Sequence, residues 1–151
     1  MNWKNLIVSA IVFTIISQII YTLGAFADMP YYTDPAYAGV WSRIMMPASG
    51  APPTEFFLLT IIANLALGLI FAYSYSLVVK AFTKDKAFKA EKPWKTGAKF
   101  GLFVFALNGM GMLTLPLLVN VPFSLSISWT LQGLAAMVPA GAAIGIIYGR
   151  K

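Results

Sequence analysis

Four long apolar runs decide what this chain can become. They cover residues 6–26, 56–79, 100–119 and 125–148. About 20 helical residues, each rising 1.5 Å, cross a hydrocarbon core about 30 Å thick. A backbone inside lipid has no water to satisfy its N–H and C=O groups, and a helix satisfies them within one segment. The expected fold is therefore all-α, an integral membrane four-helix bundle. One transmembrane domain covers residues 1–151, with spans at about 5–27, 54–80, 97–119 and 124–149. Composition agrees. The chain is 59% hydrophobic and 11% charged, against roughly 25% charged for a soluble domain. A soluble chain this short cannot bury so much apolar surface.

Charge placement sets the orientation. The segment from Lys80 to Lys99 holds seven of the eleven basic residues and lies between two spans. With Lys4, Arg150 and Lys151 it places ten of the eleven on one side of the membrane. By the positive-inside bias that side is cytoplasmic, so both termini and the basic loop at 80–99 are expected in the cytoplasm of a cell carrying the protein in its plasma membrane. The lysines also suit anionic lipid headgroups, with Phe82, Phe88 and Trp94 dipping between them. A net charge of +6 is thereby explained without nucleic acid as a partner. The triplet Ala25-Phe26-Ala27 looks like a signal-peptidase site. The apolar run before it exceeds the usual h-region of about 7–15 residues, so a retained helix is expected.

The outer loop, residues 28–53, carries Pro30, Pro35, Pro47, Pro52 and Pro53, which exclude a long helix. A short amphipathic surface helix fits inside it. Asp34 can cap, Pro35 suits the first helical position and Pro47 enforces a stop. Between them Tyr37, Val40, Trp41, Ile44 and Met45 recur at helical spacing, apolar side toward the membrane. The alternative is a loop folded over the end of the bundle. Residues 120–122, Asn-Val-Pro, make a tight hairpin between the last two spans.

The candidate sites are three. Each span carries one amide: Gln18, Asn64, Asn108 and Gln132. Counted from the outer helix ends, all four lie roughly 12–15 Å deep, near the midplane. At least three are expected to point into the bundle, as interhelical hydrogen bonds or as a polar ligand site. Serines and threonines inside the spans are expected to bond their own helix backbone. Next come the outer-face residues Asp28, Asp34, Glu55 and Arg43. Converging carboxylates could do acid–base chemistry or hold a hard cation. The plainer reading spends Asp34 on a cap and Glu55 on a helix start. Third are small residues at four-residue spacing: Gly97 and Gly101 on the third span, Gly141, Gly145 and Gly149 on the fourth. They allow close helix approach, within one protomer or in a homo-oligomer or larger membrane complex.

No catalytic, cofactor or metal motif emerges. Cys and His are both absent, which removes thiol redox chemistry and most zinc and haem sites.

The opening M-N-W, G-L-I-F-A-Y-S-Y at 68–75, K-F-G-L at 99–102, L-L-V-N-V-P at 117–122 and a glycine-rich last helix resemble the small uncharacterised four-helix membrane proteins of bacteria and archaea. That resemblance implies a fold and carries no site residue. The expected function is non-enzymatic: an accessory, scaffolding or lipid-interacting bundle. One alternative is a small-solute carrier or sensor using the amide layer. Another is a membrane enzyme with an outer carboxylate site.

Overall fold

The structure is a computed structural model and describes residues 2–47, 52–82 and 91–149. Four long helices dominate: α1 (Trp3–Ala27), α3 (Thr54–Phe82), α4 (Pro93–Leu113) and α5 (Phe123–Gly149). A five-residue helix, α2 (Met29–Thr33), follows α1 directly. All four long helices are long and apolar enough to cross a membrane. The chain is accordingly a multi-pass membrane protein. Large aliphatic side chains such as Ile62, Ile70 and Leu107 are more than half exposed, as expected of surfaces that lipid covers.

Local chemistry explains the helix ends. Asn2 caps α1, its side chain accepting hydrogen bonds from the backbone N–H groups of Lys4 and Asn5. Lys92 precedes α4, and Pro93 stands at the first helical turn, where a missing N–H costs nothing. That start lies earlier than the expected residue 97. The α-helix also ends earlier, at Leu113, passing into a 3-10 turn at Leu115–Leu117 around Pro116. A proline disfavours the helical conformation of the residue before it.

The helices run alternately up and down. Asn5 of α1 reaches the Ile147 carbonyl of α5 at 3.4 Å, so both ends of the described chain lie at one end of the bundle. In cross-section the order is α3, α1, α5, α4, with α5 and α4 making the most extensive pair.

That pair is built from glycine. A Cβ on Gly97 would overlap the Gly141 carbonyl, one on Gly141 the Gly97 carbonyl, and one on Gly101 the Met137 carbonyl. Gly145 and Gly149 lie in the same way against Pro93. The two stripes face each other within one chain. Of the two readings of the stripes, close approach within one protomer is the one seen here: α4 of the same chain lies on that face of α5.

The apolar core occupies the half of the bundle nearer the chain ends. Leu6 and Phe13 of α1, Phe71, Ala72 and Tyr75 of α3, Phe100 of α4, and Ala140 and Ile144 of α5 form one buried cluster. Phe71 and Phe100 meet with ring centroids 5.0 Å apart, and Tyr75 meets Phe100 at 5.3 Å and Tyr148 at 5.6 Å. These rings join α3 to α4 and α5 although α3 and α4 are not neighbours. Gly68 packs on the Ala10 backbone and lets α3 approach α1.

Candidate functional site: a buried carboxylate at the loop end

The opposite half of the bundle holds a polar contact between the end of α1 and α5. α1 ends at Ala27, and the next residue, Asp28, closes it by donating its backbone N–H to the Gly24 carbonyl. This turn carries the Asp28 side chain inward, and the residue is only 2% exposed. Two side chains one helical turn apart on α5 meet it. The Ser128 hydroxyl donates to Asp28 Oδ1 at 2.7 Å, and the Gln132 amide donates to Oδ2 at 2.8 Å. The same Gln132 nitrogen also donates to Ser128 Oγ at 3.0 Å.

Gly24 makes this arrangement possible. A Cβ there would fall inside the Gln132 side-chain amide. Gly24 and Asp28 on α1 thus match Ser128 and Gln132 on α5, each pair spaced by one turn.

Aromatic residues cover the site. Tyr32 and Trp41 pack edge to face at 4.9 Å, and Trp41 meets Trp129 at 6.2 Å. The Trp129 indole N–H donates to the Tyr32 hydroxyl at 3.4 Å, and the Tyr31 hydroxyl donates to Ser124 at 2.8 Å. Burial pushes the Tyr32 phenol above its ordinary range. The Trp129 hydrogen bond offsets part of that rise, and the Asp28 charge adds to it. Tyr32 is therefore a neutral hydroxyl at any physiological pH.

These contacts also decide the loop. Residues 34–46 do not form a continuous helix. Asp34 caps a 3-10 turn at Pro35–Tyr37 by accepting from Ala36 N–H at 2.9 Å, and turns follow through residue 46. Helical spacing of the apolar residues is outweighed by the docking of Trp41 onto Tyr32 and Trp129, which folds the segment over the bundle end. A depression of 390 Å³ remains beside it, lined by Ala36, Gly39, Val40, Val119 and Asn120. No amide of the spans lines it.

The four amides do not form one layer. Asn64 donates to Gln18 at 3.3 Å, joining α3 to α1. Gln132 belongs to the Asp28 site. Asn108 is exposed on α4. Counting residues fixes depth along a helix and leaves rotation about its axis open, and α4 spends its inward face on glycine contacts with α5. The Gln18–Asn64 bond is long, and such interhelical contacts average about 0.6 kcal/mol. Asn64→Leu should therefore lower stability by less than about 1 kcal/mol, read as a small shift in the thermal midpoint in detergent.

The outer acidic set is also dispersed. Asp28 is buried, Asp34 is spent on its turn, and Glu55 lies exposed in the first turn of α3. Arg43 is exposed. Among the described residues no group of three or more acidic side chains comes together. Ser128 and the aromatic cover were missed by the sequence reading. The available signal was small: Ser128 and Gln132 at helical spacing on α5, facing a glycine one turn before an aspartate.

Thr14, Thr60 and Ser76 bond backbone carbonyls of their own helices as expected, and Thr130 does the same. Ser9, Ser17 and Ser126 depart from that pattern, being fully buried with hydroxyls that have no partner in the structure.

Fold and site together define a four-span membrane bundle with one polar cluster under an aromatic cover. No known protein family, curated protein or solved structure matches the chain.

Proposed function

We propose that this is a non-enzymatic integral membrane protein with an accessory, scaffolding or lipid-interacting role, its termini and basic segment in the cytoplasm and its aromatic-covered end outside. The observation that carries this reading is how the spans close on each other. Glycine-to-carbonyl packing joins α4 to α5, and the Phe13–Phe71–Phe100 rings join α1, α3 and α4. Close helix contacts of this kind suit a closed bundle better than a solute path. An outer-face enzyme would need carboxylates brought together, and Asp28, Asp34 and Glu55 are each spent separately.

The lipid-interacting part rests on the start of α4. Trp94 is 45% exposed, and the Lys95 ammonium lies 5.7 Å from its ring centre, with Lys92 exposed beside them. An exposed indole with ammonium groups at a helix end suits the headgroup layer of an anionic leaflet. Lys99 pairs with Glu91. Residues 83–90, the middle of the basic segment, lie outside the described residues.

Orientation is the direct test. Every lysine in the sequence falls on the side assigned to the cytoplasm. A membrane-impermeant amine reagent should leave the protein unlabelled in intact cells and label it heavily in inverted vesicles. Labelling from outside would reverse the topology and end this reading.

A further inference from the structure

We propose that Asp28, Ser128 and Gln132 form a binding site for a monovalent metal cation, with sodium the ion to test. This goes beyond the accessory role and adds a ligand to the bundle.

The direction of the hydrogen bonds is the first argument. Gln132 has two amide hydrogens, one directed to Asp28 and one to Ser128 Oγ. The Ser128 hydrogen then goes to Asp28. Both carboxylate oxygens are thus engaged by neutral groups of α5.

The second argument is electrostatic. A carboxylate only 2% exposed is costly in its charged form unless something compensates it. Among the described residues no lysine or arginine forms an ion pair with Asp28. The charge also stands at the C-terminus of a 25-residue helix with no basic residue in its last turn, where the helix dipole adds further negative potential. α2 begins at the next residue and turns its own N-terminus toward Asp28, but five residues give only a small opposing dipole.

The third argument is the ligand set. Sodium takes oxygen ligands, and in membrane transporters backbone carbonyls and helix C-terminal ends coordinate it; Asp28 stands at such an end. Asp28 supplies two oxygens and Ser128 a third. Half a turn of the Gln132 side-chain amide supplies a fourth, exchanging a donor for an acceptor as the ion enters. A single carboxylate matches a single positive charge. An organic ammonium ion fits less well, because Tyr32, Trp41 and Trp129 pack against one another and leave no space between their faces.

The experiment measures thermal unfolding of the full chain in nanodiscs of neutral phosphatidylcholine. Sodium chloride replaces choline chloride at constant ionic strength, and binding of radioactive sodium is measured in parallel. Wild-type protein should gain stability with sodium along a one-site curve, and bind the ion with the same half-saturation. Asp28→Asn should abolish both responses. Ser128→Ala keeps the charge and the fold, and should raise the half-saturation about tenfold, the equivalent of one lost ligand worth about 1.4 kcal/mol. If Asp28→Asn does not fold, Ser128→Ala carries the test alone. A midpoint indifferent to sodium overturns the proposal. So does an equal response in wild type and Asp28→Asn. Stabilisation by acid in choline, with no added effect of sodium, would mean that a proton neutralises Asp28, and overturns it equally.

Discussion

Gly141→Leu should leave little folded monomer. The Gly141 backbone lies directly against Gly97 and Gly101 of α4, and a side chain there would begin inside the Gly97 carbonyl. Overpacking usually costs about 1–3 kcal/mol, because neighbouring side chains move aside. Here the neighbour is helix backbone on a proline-started helix. A cost at or above about 3 kcal/mol is expected, with Gly97→Leu equally severe. Even Gly141→Ala should destabilise, since the overlap begins at Cβ. The measurement is helical content and thermal midpoint of purified protein, with size-exclusion mass analysis beside it. A folded monomer that merely loses an oligomeric form would place the stripe against a second copy, contrary to the packing described.

Phe100→Ala should be nearly as damaging, by a different route. Phe100 is 7% exposed and touches the rings of both Phe71 and Tyr75. It is the contact that ties α4 to α3 across the bundle. Truncating a buried Phe to Ala costs about 3–5 kcal/mol in soluble cores. In lipid the transfer part of that cost shrinks, because the surroundings are apolar whether or not the helices pack. The lost dispersion contacts and ring pairing remain, so a value near about 3 kcal/mol is expected. Denaturation in mixed micelles should show it. Phe100→Leu, which keeps volume, should recover more than half. If Phe100→Ala unfolds at the wild-type midpoint, the ring cluster does not hold the bundle together.

The four spans were legible because the bilayer imposes a length and a composition that few other structures share. The small-residue stripes were legible as close-approach surfaces, but their partner was not: Gly97 and Gly141 are 44 positions apart by their numbers, and spacing within one helix says nothing about what faces it. Asp28 shows the limit most clearly. In sequence it stands among loop residues with Asp34 and Glu55. In the structure α1 continues to Ala27 and turns Asp28 back into the bundle, toward a glutamine 104 residues away. The outer loop has a related limit: periodicity over 37–45 records which residues are apolar, and it leaves open that Trp41 packs on Tyr32 and Trp129.

The cross-sectional order of the helices has a consequence for biogenesis. On the ribosome α1 and α3 emerge first and can pair as a hairpin through Gly68 and the Gln18–Asn64 bond. α4 then enters the membrane with its principal mate still untranslated, and Asp28 waits at the interface without Ser128 or Gln132. Only α5 seals both, since it is the neighbour of α1 and of α4. Packing of the four spans therefore waits for α5. A nascent chain stalled before residue 123 would show membrane quality-control proteases two marks of an unfinished protein at once: an uncovered glycine face and an unsatisfied carboxylate.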